Sequence, residues 1–374
     1  MSLRIAHLFP DSPFLRFTAD MFESAAPGAN TFLVYAATGD VARHGLPATA
    51  AIETLIADDA GLRRANDAIS AADIAIFHSV GSFAARALNS APAGTLKVWS
   101  GWGGDYYGSD WSGMAGLLDP LTARYDRRRL TLPGKVQQTY RRLRTPVREV
   151  HRAAGAADVF SAPVPEDYAV FRRRFPEFHG RYAQLNYASV EDTYAVGAEA
   201  ATGDDILLGN SASLPNNHLD VLEILSRADI AGRRIVAPLS YGDPRYADAV
   251  TARGRELFGE AFLPLRDFLP LPEYQALIAG CSAVVMGHHR QQAVGNVASA
   301  LWTGARVILQ DRSPLFAFLR DRGADVAPLS GVARAGVPRA RASAHERERN
   351  REVLTAFWSR ERVLANIRGL IASA

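Results

Sequence analysis

Between Met286 and Asn296 the chain concentrates two imidazoles (His288, His289), a guanidinium (Arg290) and two carboxamides (Gln291, Gln292), followed by Gly295 and Asn296. The apolar run Ala283 to Met286 ahead of it reads as a buried strand, and Val297 to Trp302 behind it reads as a helix. A strand, a polar loop and a helix start in that order present unpaired backbone N–H groups at the positive end of a helix dipole, an arrangement that binds anions. Arg290 adds a planar fork of five donors suited to phosphate oxygens. The chemistry implied is a cradle for a diphosphate.

Two further polar loops follow apolar runs in the same half of the chain. After Leu207-Leu208 come Gly209, Asn210, Ser211 and Ser213, then Asn216, Asn217 and His218. Glycine permits close backbone approach, and the short side chains offer hydrogen bonds; an Asx or Ser turn capping a helix is the structural alternative. The third loop is Pro238 to Gly242, with Tyr241. No two aspartates stand two apart, so no D-x-D is available to hold a divalent ion on a diphosphate. Adjacent His288 and His289 point in different directions and fit a metal pair poorly. No metal or cofactor is expected, and Arg290 with backbone dipoles would neutralise the leaving charge, as in a metal-independent transferase.

The elements that must carry these loops alternate along the chain. Strands are expected at Arg4–Phe9, Thr31–Ala36, Asp73–Phe77, Leu96–Trp99, Asp158–Ser161 and Tyr182–Leu185. The second half continues with Asp205–Leu208, Arg233–Pro238, Ala261–Leu265, Ser282–Met286 and Arg306–Leu309, Ala-rich amphipathic segments separating most of them. The pattern predicts α/β architecture with parallel sheets covered on both faces. At 374 residues two domains are the natural division: residues 1–195 and 204–350, joined near Ser189–Asp204. A helix at about 355–374 would pack back on the first domain. Two Rossmann-like domains in tandem would face a central cleft where ligands bind.

With 48% apolar and 22% charged residues, the composition is that of a folded chain rather than a disordered one. The single cysteine, Cys281, excludes an internal disulfide; it adjoins a buried strand and reads as core. No signal-peptide pattern opens the sequence, and no apolar run approaches the roughly 18 residues that span a bilayer. From Arg124 to Arg152 ten Lys/Arg face two acids, a local +8 in a chain of net +3. A solvated helical face is one reading of the stretch and an anionic membrane surface the other; sparse aromatics argue against nucleic acid. The expected location is cytoplasmic, peripheral on the inner membrane face.

Certain residues also carry a family resemblance. Trp102-Gly103-Gly104-Asp105, Gly209-Asn210-Ser211 with Asn216 and His218, Pro238 with Tyr241, Tyr274, and Arg290-Gln291-Gln292 with Gly295 resemble the TDP-4-acetamido-4,6-dideoxygalactose transferases of enterobacterial common antigen synthesis. Phe77-His78 matches at a strand end. The resemblance implies a GT-B-like fold, a nucleoside-diphosphate-sugar donor on the C-terminal domain, and a lipid-linked saccharide acceptor. It places Gly209, Asn210, Ser211, Arg290, Gln291, Gln292 and Gly295 around the donor, and His78 and Asp105 toward the acceptor. Asn216, His218, Tyr241 and Asn296 complete the expected donor set. Asp311 would contact ribose or sugar hydroxyls, one position away from the acidic residue usual in such enzymes.

If transfer inverts stereochemistry, the acceptor hydroxyl needs a base within hydrogen-bond reach. Asp105, after a strand and two glycines, is the first candidate; His78 is the second and Asp11 the third. A turn aspartate, a structural histidine and an N-cap are their respective structural roles. A non-catalytic nucleotide- or glycan-binding protein, or another nucleotide-sugar enzyme such as an epimerase, would use the same loops.

Overall fold

The computed structural model describes residues 3–38, 51–108, 115–129, 147–186, 188–194 and 202–374. The chain divides into two compact units, one comprising Met1–Gly113, Val136–Ser189 and Trp358–Ala374, the other Met114–Lys135 and Val190–Phe357.

The first unit is built on seven parallel strands: β1 (Ile5–Pro10), β2 (Asn30–Ala36), β3 (Ala51–Ile56), β4 (Ile74–His78), β5 (Leu96–Ser100), β6 (Val159–Ser161) and β7 (Arg181–Tyr182). Their order across the sheet is β3-β2-β1-β4-β5-β6-β7. Strand β4 is buried along its whole length, as a central parallel strand covered on both faces must be. Alternate residues of β1, β2 and β4 (Ile5, Phe9, Phe32, Val34, Ile74, Ile76) form one apolar face. Helix Leu15–Ala25 covers it through Leu15, Ala19 and Phe22, and helix Arg360–Ile371 through Val363, Ile367 and Leu370. That last helix starts where the Ser359 hydroxyl accepts the Arg362 N–H at 3.3 Å.

The second unit holds six parallel strands: β8 (Asp205–Leu208), β9 (Ile235–Pro238), β10 (Phe262–Leu265), β11 (Cys281–Met286), β12 (Arg306–Leu309) and β13 (Val326–Pro328). Their order is β10-β9-β8-β11-β12-β13. Strand order reverses between β1 and β4 in one sheet and between β8 and β11 in the other. Open α/β sheets bind ligands beyond the carboxyl ends of their strands at such switch points.

Strands β3 and β13 were not expected from the sequence, and β7 begins one residue earlier than expected and ends sooner. β3 and β13 are edge strands: β3 is mostly exposed and β13 only three residues long, so neither needs the apolar run that marks a buried strand. Helix Pro120–Arg129, expected in the first domain, instead packs in the second unit. Pro120 opens it at the position where a missing N–H costs nothing. The next two N–H groups, of Leu121 and Thr122, donate to the Asp220 carboxylate at 2.8 and 2.9 Å. Just upstream, the Asn217 carboxamide receives the Asp119 N–H at 2.8 Å and donates to the Leu117 carbonyl at 3.0 Å. Of the basic stretch, Arg129 at the end of this helix pairs with Asp126 at 2.7 Å and with Asp243, while residues 130–146 lie outside the described residues.

Asp220→Ala removes the acceptor of two helix-start amides. It should lower stability by about 1–2 kcal/mol, read as a lower urea midpoint; an unchanged midpoint would contradict the capping role.

Candidate functional site

In the second unit, the loops that follow β8 and β11 meet at the Asn216 side chain, which has no solvent exposure. Its Oδ1 accepts the Asn210 N–H at 3.0 Å and faces His288 Nε2 at 2.7 Å. Its Nδ2 donates to Ser213 Oγ at 2.8 Å and Ser211 Oγ at 3.2 Å. With the amide so oriented, His288 must carry its proton on Nε2. Gly209 sits beneath this knot at φ +67°, where a Cβ would stand 2.4 Å from His218 Nε2 and 2.8 Å from Asn216 Oδ1; only glycine fits.

Outward from the knot, Gln292 Nε2 donates to Asn210 Oδ1 at 2.9 Å, and Asn210 Nδ2 donates to the Tyr241 hydroxyl at 3.1 Å. Tyr241 is 56% exposed. The β9 loop is pinned to the β8 loop by Ala212 N–H to the Tyr241 carbonyl at 2.8 Å and Asp243 N–H to the Ala212 carbonyl at 2.9 Å. Helix Val294–Thr303 follows the β11 loop and begins three residues earlier than the sequence suggested, after Ala293 in the left-handed conformation at φ +56°. Gly295 and Asn296 therefore lie in its first turn, where N–H groups lack intrahelical partners. Asn296 Nδ2 donates to the Tyr274 hydroxyl at 2.7 Å. The charge of Arg290 acts on both the His288 ring and the Tyr241 phenol. Gln291 is 3% exposed, and its Oε1 and that of Gln292 have no hydrogen-bond partner among the described residues.

The structure thus gathers Gly209, Asn210, Ser211, Asn216, His218, Tyr241 and Gln292 into one cluster, with Arg290, Gln291, Gly295 and Asn296 on its β11 side. Asp311 is engaged elsewhere: its carboxylate accepts from the Ser330 hydroxyl at 2.6 Å and the Ser330 N–H at 3.1 Å. Sequence reading missed Asp119, whose carboxylate meets His289 Nε2 at 2.8 Å and Gln310 Nε2 at 3.4 Å. No local pattern could have paired residues 170 positions apart. A cavity of about 690 Å³ beside them is lined by Asp119, Asp220, Glu223 and Asp311 with one cation, Arg227. Four carboxylates make it unsuited to a diphosphate.

In the first unit, Asp105 follows the Gly103-Gly104 turn. Its Oδ2 accepts Trp99 Nε1–H at 2.8 Å and the Val80 N–H at 3.1 Å, and its Oδ1 accepts the Trp102 N–H at 2.9 Å. The carboxylate braces three pieces of chain, including the loop after β4 in which Ser79 holds a left-handed φ of +52°. Burial raises its pKa, and the Trp99 indole and the backbone amides pull it back. His78 ends β4, 2% exposed, with Nε2 at 3.2 Å from His7 Nδ1. Asp11 follows β1, its N–H bonded to the Tyr35 carbonyl at 3.0 Å.

Residues 164–330 match the family model described as 4-alpha-L-fucosyltransferase, glycosyl transferase group 56. The match contains both Gly209-Asn210-Ser211 and Arg290-Gln291-Gln292, and the family is the one these residues resemble. Solved structures share the fold. Sucrose-phosphate synthase from Thermosynechococcus elongatus superposes with a TM-score of 0.66 at 10% identity, over 99% of this chain and all of that one. HepE of Anabaena, in complex with UDP, gives 0.61 at 10% over the full length of both. AviGT4, a glycosyltransferase of avilamycin A biosynthesis, gives 0.54 at 15% over 100% of this chain and 99% of its own.

The chain is a glycosyltransferase of the GT-B fold.

In this glycosyltransferase Asp105 has a demonstrable structural duty, whatever its part in chemistry. Asp105→Asn keeps one oxygen for three donors and turns an amide N–H₂ toward at least one of them. It should cost about 1–3 kcal/mol of stability; an undiminished denaturation midpoint would show that the three bonds do not hold the loops.

Four imidazoles among the described residues are buried. Burial pushes His7 and His218 down to about 3, with the Asn30 side chain and the Leu208 backbone respectively pulling upward. His78 falls well below the ordinary value through burial and then His7, and His288 through burial and then Arg290. Unfolded, each ring would take up a proton near pH 6.5, so below that the unfolded chain binds more protons and stability drops as pH falls toward 3. Each ring contributes up to about 1.4 kcal/mol per pH unit. The urea midpoint should therefore fall from pH 7 to pH 5; a flat or rising midpoint would contradict neutral burial.

Proposed function

We propose that the glycosyltransferase takes a nucleoside-diphosphate sugar on its second unit and passes the sugar to a lipid-linked saccharide in surface polysaccharide synthesis. The observation that carries this reading is the chemistry of the loop cluster. It is built from amides, hydroxyls and imidazoles around one guanidinium, and it abuts the first turn of helix Val294–Thr303. Arg290 and the N–H groups of Val294, Gly295 and Asn296 would take the diphosphate; such preorganised donors stabilise a departing anion at no reorganisation cost. Asn210, Ser211 and Tyr241 would hold the rest of the nucleotide. The UDP in the complex of HepE supports a nucleotide donor, and the matched family supports a deoxy-sugar.

No metal enters this reading. The cationic charge that the diphosphate requires would be supplied by Arg290. Docking on the inner face of a membrane through the cations of residues 124–152 would bring a lipid-linked acceptor within reach. Among the described residues, no helix is long and apolar enough to cross a bilayer.

Arg290→Ala should raise the dissociation constant of UDP or TDP by roughly 10- to 100-fold in calorimetry, the loss of a charged hydrogen bond. Undiminished affinity would remove Arg290 from the donor site.

A further inference from the structure

A line of polar side chains crosses the apolar core of the first unit beneath helix Leu15–Ala25. It starts at Glu23, whose Oε2 accepts the Gly28 N–H at 3.1 Å and whose Oε1 accepts from Asn30 Nδ2 at 2.9 Å. It continues from Asn30 Oδ1 to His7 Nε2 at 3.2 Å, and from His7 Nδ1 to His78 Nε2 at 3.2 Å. Glu23, Asn30, His7 and His78 are 7%, 2%, 0% and 2% exposed. His7 is clamped between rings, stacked on Phe32 at 4.3 Å and edge-on to Phe22 at 4.5 Å.

The direction of every hydrogen in this line follows from its far end. Asn30 Nδ2 is surrounded by three acceptors: Glu23 Oε1, the Phe22 carbonyl at 3.2 Å and the Ala26 carbonyl at 2.8 Å. A turned amide would set oxygen against oxygen three times, so Oδ1 faces His7. The proton between them must then sit on His7 Nε2. A neutral imidazole has one N–H, which leaves His7 Nδ1 bare and makes His78 Nε2–H the donor across the next gap. By the same count His78 Nδ1 is bare, and it has no partner among the described residues. A buried acceptor left unsatisfied is costly, and this one lies at the carboxyl end of β4, beside the switch point of the sheet. Phe9 at 4.4 Å and Trp102 at 6.4 Å enclose the ring.

We propose that Glu23, Asn30 and His7 are positioning residues that lock His78 in its Nε2–H form, so that Nδ1 serves as an acceptor-only site for a substrate hydroxyl. That the hydroxyl belongs to the sugar acceptor rests on the transferase reading; the proton order does not. The burial that keeps the ring neutral also makes it a weak base, so its part is to orient the O–H rather than to carry the proton away. An acceptor-only contact discriminates a hydroxyl from an ether or carbonyl oxygen, which could only face Nδ1 lone pair to lone pair.

The test uses the full chain labelled with ¹⁵N-histidine and two-bond ¹H–¹⁵N correlation at neutral pH. His78 should show a protonated Nε2 and a bare Nδ1. His7→Asn, whose Oδ1 takes the place of the lost Nδ1, should keep that pattern; His7→Phe, which fits between Phe22 and Phe32 without an acceptor, should lose it. Turnover of whichever nucleotide sugar proves to be the donor should fall about ten-fold in His7→Phe, the rate equivalent of one lost orienting hydrogen bond, and recover in His7→Asn. A protonated Nδ1 in the wild type would overturn the proposal even in an active enzyme, as would a wild-type His78 pattern and rate in His7→Phe. Should no sugar be transferred at all, the transferase reading would fail while the ring-nitrogen spectra still decide the lock.

Discussion

The carboxamide of Asn216 is the junction on which the second unit's site depends. It has two lone-pair directions and two N–H bonds, and neighbouring loops use both ends: the β8 backbone and His288 on the oxygen, Ser211 and Ser213 on the nitrogen. An amide cannot be turned without breaking all of these at once, so the loops after β8 and β11 are held in one relation. Gly209 and Gly287 let them close that tightly: a Cβ on Gly287 would lie 2.5 Å from the Asn216 carbonyl oxygen. Preorganisation of this kind lets weak neutral donors act on an anion effectively, since none has to reorient when charge develops. Arg290 adds a full positive charge that acts on His288 and Tyr241 beside them.

Charge also separates two neighbouring surfaces of this unit. The amide-rich cluster has a cation and a helix start, whereas the cavity beside Asp119 and Gln310 is walled by four carboxylates. A diphosphate discriminates between them by Coulomb energy alone. The arrangement also assigns the adjacent histidines different duties. His288 turns inward to Asn216, and His289 turns to Asp119, so neighbours in sequence serve different contacts.

Much of this was legible in the sequence. The central parallel strands declared themselves as apolar runs, and the polar loops beyond β8, β9 and β11 stood out because charged and amide residues followed directly on those runs. The edge strands β3 and β13 did not, because an exposed edge imposes no pattern. Asp105 had the right neighbours for a base, yet its three donors come from residues 80, 99 and 102, and spacing alone cannot say that they converge. Asp311, expected to contact ribose or sugar hydroxyls, accepts from Ser330, a partner that spacing does not reveal. The line from Glu23 to His78 was beyond reach for the same reason: its links span from 7 to 71 residues, and only the register of β1 against β2 and β4 brings them together.

The central claim is that a guanidinium and preorganised N–H groups suffice to hold the donor's diphosphate. Calorimetric titration of UDP and TDP into the wild-type chain, once with EDTA and once with magnesium, tests it most directly. The account predicts at least one nucleotide binding with the same affinity in both buffers. Binding that disappears with EDTA and returns with magnesium would contradict it.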